Sequence, residues 1–177
     1  CKSVKDVLKA GIDCYMSVGT ARALGVESHR ILYARAKQQF KLHTWTILPF
    51  EVEHDAKEPL GYLLASQAGE KLLYATDTAY IRYKFPGLTH IMIECNYAED
   101  ILEANITAGA LDPVMKNRLL RTHFSLANVK EFLLANDLSK VKEIWLLHLS
   151  DGNSDAQRFK REIQELTGKE VYIARKN

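Results

Sequence analysis

Hydrophobic and polar positions along the chain follow two periods, and the balance between them shifts near the middle. Val4, Val7 and Leu8 recur at helical spacing over about residues 3–10. IDCYMS then reads as a short strand, and a second helix over roughly 18–25 is stopped by Gly25. Residues 29–53 read as several β segments, HRILYA, KQQFKL and TWTILPFEVE. LGYLLAS and KLLYATD flank Gln67-Ala68-Gly69-Glu70, a hairpin turn. LTHIMIECN is continuously apolar, as a strand covered on both faces is. Helical spacing returns near 98–106, 112–121 and 125–136. VKEIWLLHLS reads as another buried strand, SDAQRFKREIQELTG as a helix stopped by Gly168, and KEVYIA as a last strand. Strands dominate the first half and alternate with helices in the second. The pattern predicts sheets covered by helices, an α/β (α+β) class.

Composition narrows the class without choosing a function. A chain of 177 residues, 47% hydrophobic and 26% charged, is one domain with room for a real core. Lys+Arg 24 against Asp+Glu 22 leaves a net charge of +2, so there is no global pull toward nucleic acid. No apolar run approaches a membrane span, and no signal peptide is visible. Cys1, Cys14 and Cys95 are odd in number and form no Cys-x-x-Cys, which suits reduced thiols in a cytoplasmic protein. Cys95, at a strand end, reads as a small buried filler. Residue 1 is a cysteine and helical periodicity starts almost at once, as in a chain entered partway through a fold.

Three apolar strands run into a residue of metal-ligand type. FEVEH ends at His54, LLYATD at Asp77 and IWLLH at His148. Strand ends fix side-chain direction, and ligands gather at the carboxyl ends of strands in α/β sheets. Neutral imidazole and carboxylate suit zinc, manganese or iron. Taken singly, each residue is better explained as a hydrogen-bonded rim group or a turn former. The ordered set is what changes the odds.

Those residues and their flanks, EHDAKEPLGY, YATDTAY and LLHLSDGNSD, resemble the metallo-β-lactamase fold superfamily, most of all small stand-alone bacterial and phage members of nuclease-like character. The resemblance runs from residue 1 to about 174. It implies that His54 ligates the first of two divalent metals (Zn or Mn), His148 the second, and that Asp77 bridges them as a catalytic residue. Asp55 would stand outside the ligands, fixing an imidazole or the loop. IECNYAED and RTHFSLANVKEFL resemble in position the segments through which tRNA 3′-processing endonucleases supply proton-transfer and phosphate-binding groups. His123 precedes a helix whose N-cap is Ser125, where free N–H groups attract phosphate and an imidazole can protonate a leaving oxygen. A capping serine beside a surface histidine explains the same spacing. Tyr97 stands where relatives often carry histidine, while Glu94 and Asn96 are candidates for orienting His148 or the loop.

His29, His43 and His90 lack such context, with His43 and His90 inside strand patterns, and Trp45 and Trp145 read as core. KNRLLR is basic and reads first as the solvated face of a helix.

The superfamily signature His-x-His-x-Asp-His does not occur in the sequence. In relatives a helix like SVKDVLKAG follows it directly. The resemblance therefore implies a single, incomplete domain, the C-terminal portion of a four-layer αββα fold. His54 and His148, with Asp77 shared between the metals, would leave two protein ligands per metal where catalytic zinc takes three, so metal binding is expected to be weak or absent. The expectation for the complete protein is a two-metal hydrolase of phosphodiester bonds, with nucleic acid as substrate, no membrane, and self-association of this portion through exposed strands. A thioester or lactone hydrolase, or a degenerate non-catalytic binding domain, are the alternatives. A doubly wound nucleotide-binding domain ranks last, because no Gly-x-Gly-x-x-Gly is present.

Overall fold

A computed structural model describes residues 3–110 and 112–174. The chain opens with α1 (Val4–Lys9), β1 (Cys14–Met16), α2 (Val18–Leu24) and β2 (Ile31–Tyr33). It continues with β3 (Phe40–Leu42), β4 (Trp45–Glu51), β5 (Leu60–Ser66), β6 (Lys71–Ala75) and β7 (His90–Glu94). Then come α3 (Glu99–Thr107), α4 (Pro113–Thr122), α5 (Leu126–Ala135), β8 (Glu143–Leu147), α6 (Ala156–Thr167) and β9 (Glu170–Ile173). The elements are those the periodicity predicts, with ends moved by a few residues.

Local chemistry sets those ends. Ser17, Ser125 and Asp155 cap α2, α5 and α6 by accepting the N–H of Thr20, Asn128 and Arg158. Gly168 closes α6 in the left-handed conformation that a side chain would oppose. His43, expected inside a strand, instead makes the β3–β4 turn at φ 51°.

Strands β3 to β9 form one seven-stranded sheet in chain order. β3 to β6 pair antiparallel, and β6 to β9 pair parallel. Alternation gives the sheet two unlike faces. Leu73, Ile91, Ile144 and Val171 lie side by side on one face, with no exposure, beneath helices that supply Val129, Phe132, Phe159 and Ile163. Asp100, Arg158, Glu162 and Lys130 tie α3, α6 and α5 together over that core.

The other face carries a cross-strand row, Tyr62, Tyr74, Met92, Trp145 and Tyr172, one residue from each of five strands. Trp145 stacks on Tyr172 with centroids 4.7 Å apart. Both tryptophans are half-buried on this face, so the core assignment made for them from sequence is corrected. The parallel pair β1–β2 reaches the β3 end of the face, where Tyr15 stacks on Phe40 at 4.8 Å.

Candidate metal centre

β4, β6, β7 and β8 all run in one direction, because β5 is antiparallel to both of its neighbours. The segments after them therefore meet at one rim of the sheet. His148 follows β8 immediately, Glu94 is the last residue of β7, Asp77 lies two residues past β6, and His54 three past β4. The last two lie on loops beyond the strands that were expected to end at them. The β4 and β6 loops are joined: Glu53 N–H donates to Thr78 Oγ1 at 3.0 Å, and Ala79 N–H to the Glu53 carbonyl at 2.7 Å.

Glu94 organises the rim. It is fully buried, and its Oε1 lies 2.6 Å from His123 Nδ1 and 3.0 Å from His148 Nδ1. Its Oε2 accepts the Thr78 N–H at 2.8 Å. Burial alone pushes this carboxyl's pKa up, but the bonds from His123, His148 and Thr78 outweigh it and hold the pKa below the usual value. The charged form is thus the one the site is built around. His148 Nδ1 also lies 3.1 Å from Asp77 Oδ1. Asp77, Glu94, His123 and His148 can each offer one ligand atom within 4.8 Å of the others.

Asp77 (φ 52°) and His148 (φ 53°) both hold a left-handed backbone, uncommon without glycine, which turns each side chain sharply off its strand. Neighbours hold His148 there. Asn96 Nδ2 donates to the His148 carbonyl at 2.7 Å, and Ser150 N–H to the Asn96 carbonyl at 2.8 Å. Asn96 therefore fixes the backbone of His148, and Glu94 its ring.

His54 stands beside the four-residue group and outside it. Its ring centroid is 5.7 Å from that of His123, which in turn is 5.2 Å from that of His148. His54 Nδ1 accepts the Ala56 N–H at 3.0 Å and is 3.3 Å from Asp55 Oδ1. Asp55 Oδ2 also accepts from Arg118 Nε at 3.1 Å, tying the His54 loop to α4. His123 ends α4, with Nδ1 on Glu94 and the N-cap oxygen of Ser125 given to Asn128. Its place between two other imidazoles was not visible in the sequence. Glu94, named from the sequence as a candidate for orienting His148, closes an apolar strand much as His148 follows one. Cys95 is fully buried and burial raises its thiol pKa, as befits a filler. Tyr97 is buried too, with its phenol pushed up to about 12.

Two imidazoles and two carboxylates in this space form a nitrogen–oxygen donor set that fits zinc, manganese or iron. No family model and no curated protein matches the sequence. Solved structures do. The metallo-β-lactamase fold protein YhfI from Bacillus subtilis superposes with a TM-score of 0.64 at 13% identity, over 91% of this chain and 61% of its own. Igni18, a metallo hydrolase from Ignicoccus hospitalis, gives 0.65 at 10% identity, over 98% of this chain and 70% of its own. A diphosphatase of the PhnP family gives 0.60 at 18% identity, over 92% of this chain and 55% of its own. The chain has the metallo-β-lactamase fold. It spans about three fifths of YhfI and a little over half of the diphosphatase. Among the described residues no helix is long and apolar enough to cross a membrane.

Proposed function

We propose that the protein, in its full-length form, is a metal-dependent hydrolase of phosphodiesters, with nucleic acid as its substrate. The observation that carries this reading is the convergence of Asp77, Glu94, His123 and His148 on one rim with ligand atoms within 4.8 Å. Asp77 and His148 would hold metal, with His54 on the adjoining loop as a candidate further ligand. A bound divalent metal supplies a Lewis acid and lowers the pKa of a bound water.

The chain's own residues supply the rest. Glu94 accepts from Nδ1 of both His123 and His148, so that each ring presents Nε2 outward. In His148 that leaves Nε2 to ligate. In His123 the same bond lets Nε2 pass a proton to the departing oxygen while Glu94 balances the charge on the ring. The likeness in fold to a diphosphatase of the PhnP family favours a phosphate-containing substrate over a thioester or lactone.

The test uses the full-length gene product with a simple phosphodiester, a nucleic acid and a thioester as substrates. Asp77→Ala should abolish all hydrolysis. His123→Ala should lower diester turnover by about 10²-fold or more. Unchanged diester turnover in His123→Ala would remove that residue from the mechanism and favour the thioester or lactone reading.

A further inference from the structure

A cavity of about 320 Å³ opens beside the candidate centre, between α4 and the turn after β8. Met115, Arg118, Leu119, His123, Ser150 and Asn153 line it. We propose that this cavity seats one nucleotide unit next to the scissile diester, with Arg118 and Ser150 taking its phosphate and Met115 and Leu119 lying against its nucleoside. The assignment rests on the phosphodiester reading of the adjoining rim.

The polar groups are committed in a telling way. Asn153 donates N–H and Nδ2 to Ser150 Oγ, both at 3.3 Å, and its Oδ1 accepts from Asn105 at 2.8 Å. Ser150 Oγ thus accepts twice, which leaves its own hydroxyl hydrogen to donate. Arg118 uses Nε on Asp55, and a guanidinium carries five N–H donors. Arg118 and Ser150 therefore offer the cavity donors, as a phosphate requires. Met115 and Leu119 give an apolar wall, and the volume falls at the small end of ligand sites, suited to one such unit. Met115 is 56% exposed, so its side chain is accessible to a ligand in the cavity. The shared His123 puts this cavity against the rim where the bond would break.

The experiment titrates the isotope-labelled, metal-free 177-residue chain with thymidine monophosphate, thymidine and inorganic phosphate, following backbone amide signals. The monophosphate should shift Met115 to His123 and Ser150 to Asn153, and should bind more tightly than thymidine or phosphate. Arg118→Ala should weaken it by about tenfold or more, leaving thymidine unaffected. Arg118 is exposed, so the variant should fold. Asp55→Ala breaks the same ion pair but keeps the guanidinium, and should bind the monophosphate at least as well as the parent. Equal weakening in both variants would mean that the pair only holds the loop, and would overturn the assignment. Shifts mapping elsewhere, or phosphate binding as tightly as the nucleotide, would overturn it as well. Binding here without diester cleavage by the metal-loaded full-length protein would retire the hydrolase reading and keep the site.

Discussion

Replacing Glu94 by glutamine separates what this residue does for folding from what it does for a metal. The carboxylate is fully buried and accepts from His123, His148 and Thr78. Glutamine keeps the volume, but its oxygen cannot serve both imidazoles and Thr78. If the oxygen stays on Thr78, the new NH2 faces the two Nδ1 atoms and turns them into acceptors. Each neutral ring then carries its proton on Nε2, the nitrogen a metal would need. On the folding side, two charge-assisted bonds of about 1.5–3 kcal/mol each are lost. Against that, the variant no longer buries a carboxylate, a penalty of several kcal/mol. The terms nearly cancel, and stability should change by less than about 2 kcal/mol. Metal affinity has no such offset, and loss of the group that orients a ligating histidine weakens it by about 10–100-fold.

Urea unfolding with and without added Zn²⁺ or Mn²⁺ reads both quantities. At free metal about 100 times the parent Kd, binding adds about 2.7 kcal/mol to the parent. The same concentration should add only about 1.4 kcal/mol to a variant binding tenfold more weakly, and about 0.4 kcal/mol at a hundredfold. Equal increments in parent and Glu94→Gln would refute the orienting role. No increment in the parent at any metal concentration would refute the metal centre in this chain.

Other features yield sharper single readings. A Cβ at Gly61 would lie 2.4 Å from Cζ of Phe50, its buried partner across β4–β5, so Gly61→Ala should cost about 1–3 kcal/mol. An unchanged urea midpoint would show that the ring can move aside. The carboxyl pKa values of Glu94, Asp100 and Glu162 are lowered in the folded state, so their contribution is present above the unfolded-state value, about 4.3 for glutamate, and is lost as pH falls through the folded values. Stability should therefore decline on acidification below about pH 5, and a rise there would contradict these pairings. The open row of Tyr62, Tyr74, Met92, Trp145 and Tyr172 should drive self-association, visible by sedimentation and reduced in Trp145→Ser. A parent chain that stays monomeric at high concentration would contradict it.

The elements were legible because each carries its own period and punctuation. Gly25 and Gly168 end helices, and Ser125 and Asp155 start them, through bonds within a few residues. His148 and Asp77 were legible for a related reason, since a polar residue just past a buried strand has one rim to occupy. What the sequence withholds is everything made by residues far apart in it. The contact of Glu94 with His123 spans 29 residues and that with His148 spans 54, and no local pattern encodes either. The left-handed backbones of Asp77 and His148 are equally hidden, because neither residue is glycine and the bonds that hold His148 come from Asn96 and its neighbours.

The misplacement of Trp45 and Trp145 has a more instructive cause. Continuous apolar strands imply cover on both faces, and among the described residues the helices of the main core pack on one. Glu94 has the same side-chain parity as Met92, so it stands at the rim end of the open face rather than of the helix-covered one. The aromatic row and the candidate centre are thus successive levels of one surface. A layer seated on Tyr74, Met92 and Trp145 would border Asp77, Glu94 and His148 at its upper edge. Donors from such a layer would reach the same edge as Asp77 and His148, so these two should hold metal more firmly beneath it than with the face left open.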